Sequence, residues 1–289
     1  MENKNNAVVT KKNRLPLKPL LGLILLPAAC LALNEALFFA AAQFAGESLG
    51  DYIDPLVSIL CALLCLFVHR ASFAGKFNGS LKLAGCKKGL FLLLSFLPCV
   101  IPNFIHADYS VLTADVVLYT FAFALGTGLF EETAFRALSG SNFMRAWHDE
   151  KLIVPAVMLT SVVFGLAHLM NMNQGAGLGA TVTQAVYAIG FGVIFAAVYF
   201  RCGSLIPAIL AHTLVDFTAD LKMYGLEADP FAVSSFDWSM LIAAGLGIAM
   251  VVVGLYYVRP AKRAEILDLW AEKWSLNETD GLAEDASAD

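Results

Sequence analysis

The sequence predicts an all-α membrane protein, a polytopic bundle of about eight transmembrane helices, on three observations. Of its 289 residues 58% are hydrophobic and only 15% are charged, against roughly 25% charged in soluble domains. The mean hydropathy of +0.69 calls for lipid rather than water around most of the chain. Apolar runs of about 20 residues, the length a helix needs to cross the hydrocarbon core with its backbone internally satisfied, recur eight times.

Taken in order, the runs span 19–45, 54–73, 89–105, 112–138, 152–171, 180–200, 203–219 and 239–258. The first follows Lys11, Lys12, Arg14 and Lys18 and so imitates a signal peptide. Its apolar stretch is too long and no small-residue cleavage site closes it, so it reads as a retained helix. Basic residues concentrate in cytoplasmic loops, and here they alternate. Five lie before the first span. Arg70, Lys76, Lys82, Lys87 and Lys88 follow the second, and Arg145, Lys151 and Arg201 occupy the next inner loops. Arg259, Lys262, Arg263 and Lys273 follow the last span, whereas the outer loops hold only Lys222. Both termini are therefore expected in the cytoplasm.

The organisation that follows is a cytoplasmic segment 1–18, a transmembrane domain 19–258, and a cytoplasmic end 259–289. That end is read as an interfacial helix to about Ser275 followed by a disordered acidic tail. Glycines at 175, 177 and 179, at 190 and 192, and at 245 and 247 suit close helix packing or helix breaks. The charge pattern carries no nucleic-acid footprint. The six cysteines, Cys30, Cys61, Cys65, Cys86, Cys99 and Cys202, lie in or beside apolar runs without disulfide or thiolate-metal spacing and read as small apolar fillers.

Ionisable groups inside spans cost roughly 2.5 to 3.5 kcal/mol each on insertion scales, so clusters of them need a reason. Glu131 and Glu132 are followed by Arg136. On a helix Glu132 and Arg136 are i,i+4 neighbours, with the acid N-terminal as an ion pair prefers. Glu131 points about 100° away, free to face a cavity. A charged helix end at the cytoplasmic surface is the lesser alternative for this cluster taken alone. Phe164 and His168 share a face of the next apolar run, where a lone histidine is as often a hydrogen-bonded packing residue. His212 and Asp216 share a face of another, which a lipid-facing helix would not accept. Together they supply carboxylates and imidazoles able to activate water and stabilise an oxyanion.

These three patterns resemble the signature of the CAAX-protease and bacteriocin-processing (Abi) family of intramembrane proteases, which includes the CAAX prenyl endopeptidases: E-E-x-x-x-R at Glu131, Glu132 and Arg136, F-x-x-x-H at Phe164 and His168, and His212 with Asp216 as the third motif. The resemblance covers about 112–219 and implies a catalytic core there. It implies that Glu131 with His168 activates water for attack on a peptide carbonyl, and that His212 and residue 216 stabilise the oxyanion. The prenyl endopeptidases usually have Asn where this chain has Asp216. An ionised Asp would repel an oxyanion, so Asp216 must be protonated, orient His212, or help bind a cation. Glu131, His168 and His212 are an acceptable Zn2+ set. A metal-free glutamate mechanism is equally compatible, and no H-E-x-x-H is present.

The expected substrates are membrane-associated peptides or lipidated proteins, and the expected location is the inner membrane of a bacterial cell. A non-catalytic peptide-binding or bacteriocin self-immunity protein would use the same cavity without cutting. A transporter is a third class, disfavoured because no inverted repeat appears. Straight spans would put Glu131 and His168 at different depths, since Lys151 to His168 is about 25 Å of helix. A convergent site therefore needs the fourth helix to run long and tilted toward Arg145, with the fifth beginning above the membrane.

Outside these clusters, Asn34 is expected to make a helix–helix hydrogen bond, while Glu35 and Asp115 are further intramembrane polar groups. His69, His106 and His148 are expected at exposed loops or span ends. Met170 to Gln174 read as a turn or a substrate-facing loop.

Overall fold

In a computed structural model the chain is helical, with no strand among the described residues. These are residues 17–44, 52–146 apart from 75 and 84, 149–226 apart from 225, and 233–275 apart from 234 and 237. The expected terminal tails, Lys11 to Arg14 and His148 lie outside them.

The helices follow the apolar runs: α1 (Leu17–Ala42), α2 (Ile53–Ser72), α3 (Cys86–Leu92), α4 (Leu97–His106), α5 (Ala114–Glu132), α6 (Ser141–Ala146), α7 (Ile153–Ala167), α8 (Leu178–Cys202), α9 (Ile206–Met223), α10 (Trp238–Tyr257) and α11 (Pro260–Lys273). Among the described residues seven stretches are long and apolar enough to cross a membrane. The chain is a polytopic all-α membrane protein. The eighth expected span, 203–219, is helix α9, whose Asp216, Asp220 and Lys222 set it apart from the apolar seven.

Local chemistry explains where the elements break. The third span is divided by a 3₁₀ turn at Leu93–Phe96, just before Pro98, because a proline has no N–H to continue the ladder but fits a first helical turn. Thr113 caps α5 by accepting from Val116 N at 3.3 Å, and Asp115 lies in its positive first turn. Gly85 begins α3 at φ +87°, and a Cβ there would meet Cys202 O at 2.2 Å, so backbone conformation and close approach both demand glycine.

The fourth span is continuous from Ala114 to Ala146, 33 residues, or about 50 Å of helix. The long, extended element that a convergent site requires is thus present. Its middle, Thr133–Gly140, is wound as a π-helix. Side chains take up carbonyls in this wide turn: Ser141 Oγ donates to Ala137 O and Asn142 Nδ2 to Leu138 O at 2.8 Å. Ser139 Oγ donates to Leu23 O of α1 at 3.4 Å.

Helix α8 is the buried centre, with 72% of its membrane window enclosed against 17% for α10. Helices α7 and α10 pack on α8, and α9 and α2 pack on α5. The π-helical segment bridges the two groups by touching α1, α2 and α7. Glycines permit the closest approaches: a Cβ on Gly190 would fall 2.0 Å from Gly247 O of α10, whereas Gly245 faces open space. Helix α11, expected to lie on the membrane surface, buries Ile266 and Trp270 against the bundle, with Trp274 following.

Three minor expectations change. His69 is buried, 7% exposed, among Phe73, Phe77 and Trp274 rather than at an open span end. Asn34 is buried, but its Oδ1 meets no hydrogen-bond partner. Residues His168–Gln174 form a 3₁₀ segment ended by Gly175 at φ +96°, with Asn171 Nδ2 donating to Gln184 Oε1 at 2.8 Å.

Candidate active site

Neighbouring carboxylates on one helix cannot face the same way, and Glu131 and Glu132 show it. Glu132 is fully buried. Its Oε1 lies 3.1 Å from Arg136 Nη1 and accepts from His212 Nδ1 at 3.0 Å. The i,i+4 pair survives the π-helical winding between its members. Glu131 keeps 20% of its side chain accessible, and its Oε2 stands 3.6 Å from His212 Nε2 without a hydrogen-bond partner. One acid is committed to structure, whereas the other is held beside an imidazole with a free oxygen.

His212 is placed by α9 between the two acids of α5 and an acid of its own helix. Its Nε2 lies 3.2 Å from Asp216 Oδ2, one turn on. Asp216 thus stands beside His212, close enough for an ion pair. The imidazole is also stacked on Phe195 of α8, with ring centroids 4.8 Å apart and an 18° interplanar angle. Phe164 of α7 meets it edge-on at 5.9 Å.

Phe164 is the hinge between the motifs. Its ring contacts His168 at 4.9 Å and lies 4.3 Å from the Arg136 guanidinium carbon, a cation–π contact in a buried setting. Arg136, fully buried, also donates from Nη2 to Gly192 O at 3.2 Å. His168 stands where α7 gives way to the 3₁₀ segment, not inside a continuous helix, and its Nδ1 lies 3.0 Å from Phe164 O. Donation of Nδ1–H to that carbonyl leaves the Nε2 lone pair unused. His168 is close enough to Glu131 to interact with it electrostatically.

The structure thus brings Glu131, Glu132, Arg136, Phe164, His212 and Asp216 together, with His168 joined to them across the Phe164 ring. Sequence reasoning missed Phe195, the Gly192 carbonyl, Thr213 and Gly128. Nothing in an apolar run marks Phe195 as the stacking partner of a histidine. Gly128 carried a signal, a glycine three residues before Glu131 on the same helix.

The residues do not form a ready metal tripod. Among the described residues no three His, Cys, Asp or Glu side chains are grouped to hold an ion. Both ring nitrogens of His212 face carboxylates, so no lone pair of that ring is presented to a cation in this arrangement.

The chain was compared with known proteins. No curated protein matches it. No solved structure matches it either. The family described as type II CAAX prenyl endopeptidase Rce1-like matches residues 113–218, a segment that begins at the cap of α5 and ends two residues beyond Asp216, and so encloses every site residue named above. The chain is a polytopic membrane protein whose residues 113–218 match the Rce1-like family of type II CAAX prenyl endopeptidases.

Proposed function

We propose that the chain is an intramembrane endopeptidase that hydrolyses peptide bonds of membrane-associated or lipidated substrates with a base-activated water. One observation carries the reading: Glu131 presents a partly accessible carboxylate whose Oε2 stands unpartnered 3.6 Å from His212 Nε2, while its neighbour Glu132 is fully buried with Oε1 engaged by both Arg136 and His212 Nδ1. A buried acid left one partner short beside an imidazole is expected at a reaction site rather than in a packing core.

Glu131 takes a proton from water, and the hydroxide adds to the carbonyl carbon of the scissile bond. His212, held on Nδ1 by Glu132 and on Nε2 by Asp216, carries positive charge next to the developing oxyanion. His168 Nε2 is free to accept a hydrogen bond from the attacking water and so orient it, since Nδ1 is engaged by Phe164 O. Collapse of the tetrahedral intermediate passes the proton from Glu131 to the leaving amine, which balances the hydrolysis. Zinc held by Glu131, His168 and His212 is the second reading, resting on the chemistry of those donors, and it would require His212 to release a carboxylate.

The domain division, the bacterial inner membrane and cytoplasmic termini belong to the same proposal, supported by the alternation of basic residues. The test is cleavage of a fluorogenic prenylated CAAX-type peptide and of a transmembrane peptide library by purified protein in nanodiscs, with zinc measured on the same sample. Turnover by wild type that Glu131→Gln abolishes supports the reading. Equal turnover by the two proteins overturns the assignment of Glu131, and tight peptide binding without cleavage points to the self-immunity class.

A further inference from the structure

The convergence of α5 and α9 is what places His212 against two glutamates 80 residues away in sequence, and the contact that permits it lies one turn before them. A Cβ on Gly128 would fall 2.8 Å from Thr213 Oγ1, 3.1 Å from Thr213 N and 3.5 Å from His212 Cβ. Two of these atoms belong to side chains, but the amide nitrogen belongs to the backbone of α9, so the helix itself must yield. Thr213 is 5% exposed, and its Oγ1 has no hydrogen-bond partner. The hydroxyl is therefore pressed toward Gly128 without a polar bond to hold it there.

We infer that Gly128 is a positioning residue for His212: the missing side chain sets the spacing between α5 and α9 at which His212 Nδ1 reaches Glu132 and Nε2 stands beside Glu131. The geometry leaves little slack. Ordinary contact for a Cβ begins at 3.4 Å, so alanine at 128 moves the α9 backbone by a few tenths of an ångström. The His212–Glu132 bond is already 3.0 Å long, and hydrogen bonds weaken as they approach 3.5 Å. The other tight glycines differ. Gly254 would meet Val193 Cγ1 at 2.8 Å and Ile194 Cα at 3.0 Å, but it lies on α10 at the rim, where the helix can give way outward.

The catalytic meaning of this inference rests on the proposed hydrolysis, so the test reads His212 directly. The chain has five histidines. Their ring nitrogens can be followed by 15N NMR of His-labelled protein in nanodiscs, with each assigned by a His→Gln variant. Gly128→Ala is expected to shift the His212 Nδ1 resonance while that of His106 stays in place. Gly254→Ala, an equally tight substitution, leaves His212 unmoved. Adding Thr213→Ala to Gly128→Ala removes the 2.8 Å clash but keeps the 3.1 Å contact to Thr213 N, and so returns the His212 signals only part of the way toward those of wild type. Where the fluorogenic peptide is cleaved, Gly128→Ala lowers kcat about tenfold with KM little changed, since misplacement by one ångström can cost about a hundredfold.

Unaltered His212 resonances in Gly128→Ala, or an equal shift in Gly254→Ala, overturn the inference whether or not the protein is a protease. Failure of wild type to cleave any peptide overturns the hydrolase reading and leaves the His212 measurement standing. Should Gly128→Ala fail to fold, Gly128→Ala with Thr213→Ala, in which the 3.1 Å contact to Thr213 N remains, supplies the readout: His212 signals displaced from those of wild type sustain the spacing argument, and wild-type signals overturn it.

Discussion

Two buried polar regions of the molecule are built to opposite standards. At the seam where α11 meets the bundle, the polar groups find partners. Trp270 Nε1 donates to Phe200 O and Trp274 Nε1 to Ser141 O, each at 3.0 Å, and Lys273 Nζ donates to Gly79 O at 2.6 Å. Glu265 joins Lys88 and Arg201. Among the described seam residues His69 Nε2 is the exception. At the candidate site unsatisfied atoms accumulate instead: Glu131 Oε2, Glu132 Oε2, Thr133 Oγ1, Arg136 Nε and Thr213 Oγ1. A buried polar atom without a partner costs about 1 to 3 kcal/mol. A fold that satisfies its seam but not the crossing of α5 with α9 carries that cost where the proposed chemistry would use it.

The sharpest way to break this contrast is Glu131→Gln. It should lower turnover at least about 100-fold, the range for loss of a general base, with the melting temperature unchanged or raised because a buried charge is removed. A large loss of stability instead would make Glu131 a structural acid like its neighbour. Arg136→Met should do the reverse. Stripping Glu132 of its buried partner costs about 3 to 5 kcal/mol, which at about 2 to 4 °C per kcal/mol lowers melting by roughly 10 °C. Thermal unfolding in detergent by circular dichroism reads both.

The seam yields smaller effects. Trp274→Phe keeps a ring against Phe77 and Phe73 but loses the donor to Ser141 O. About 1 kcal/mol should go from stability and nothing from turnover at temperatures where the variant is folded. Lys273 sharpens the comparison by pH. Burial, with the Lys82 charge adding to it, pulls its ammonium down from 10.5 to about 8. The folded state therefore gives up its proton before the unfolded state does. Stability on this account rises as pH goes from about 8 toward 10.5 and is flat below. The melting temperature of wild type should climb relative to Lys273→Met across that window, and parallel curves would show that the ammonium is not desolvated by the seam.

Much of this was written in the chain, at the levels where physics is local. Apolar runs marked the membrane helices because lipid solvation is a property of each segment alone. The i,i+4 pairing of Glu132 with Arg136, and the divergence of Glu131 from both, follow from helical period and are seen as expected. His212 to Glu132 is different: no local rule links positions 80 apart, so the role of the second glutamate as a brace for the histidine was not legible. His69 was misread for the same reason, since its aromatic partners Phe77 and Trp274 come from a loop and from the far end of the described chain. The π-helical winding at Thr133–Gly140 left no trace in the residue pattern, because Ala, Phe, Leu and Ser fit an α-helix as well.

That wide turn has a consequence for how the gene can change. A segment that closes its hydrogen bonds from i to i+5 holds surplus chain relative to an α-helix, and here it begins immediately after Glu132. Excising one residue between 137 and 140, beyond Arg136, would let the backbone tighten to ordinary winding, absorbing the loss on the spot. The same excision within Ala114–Phe130 would swing Glu131 by about 100° relative to everything upstream. Single-codon deletions scanned along this element should therefore be tolerated in one short window and fatal outside it.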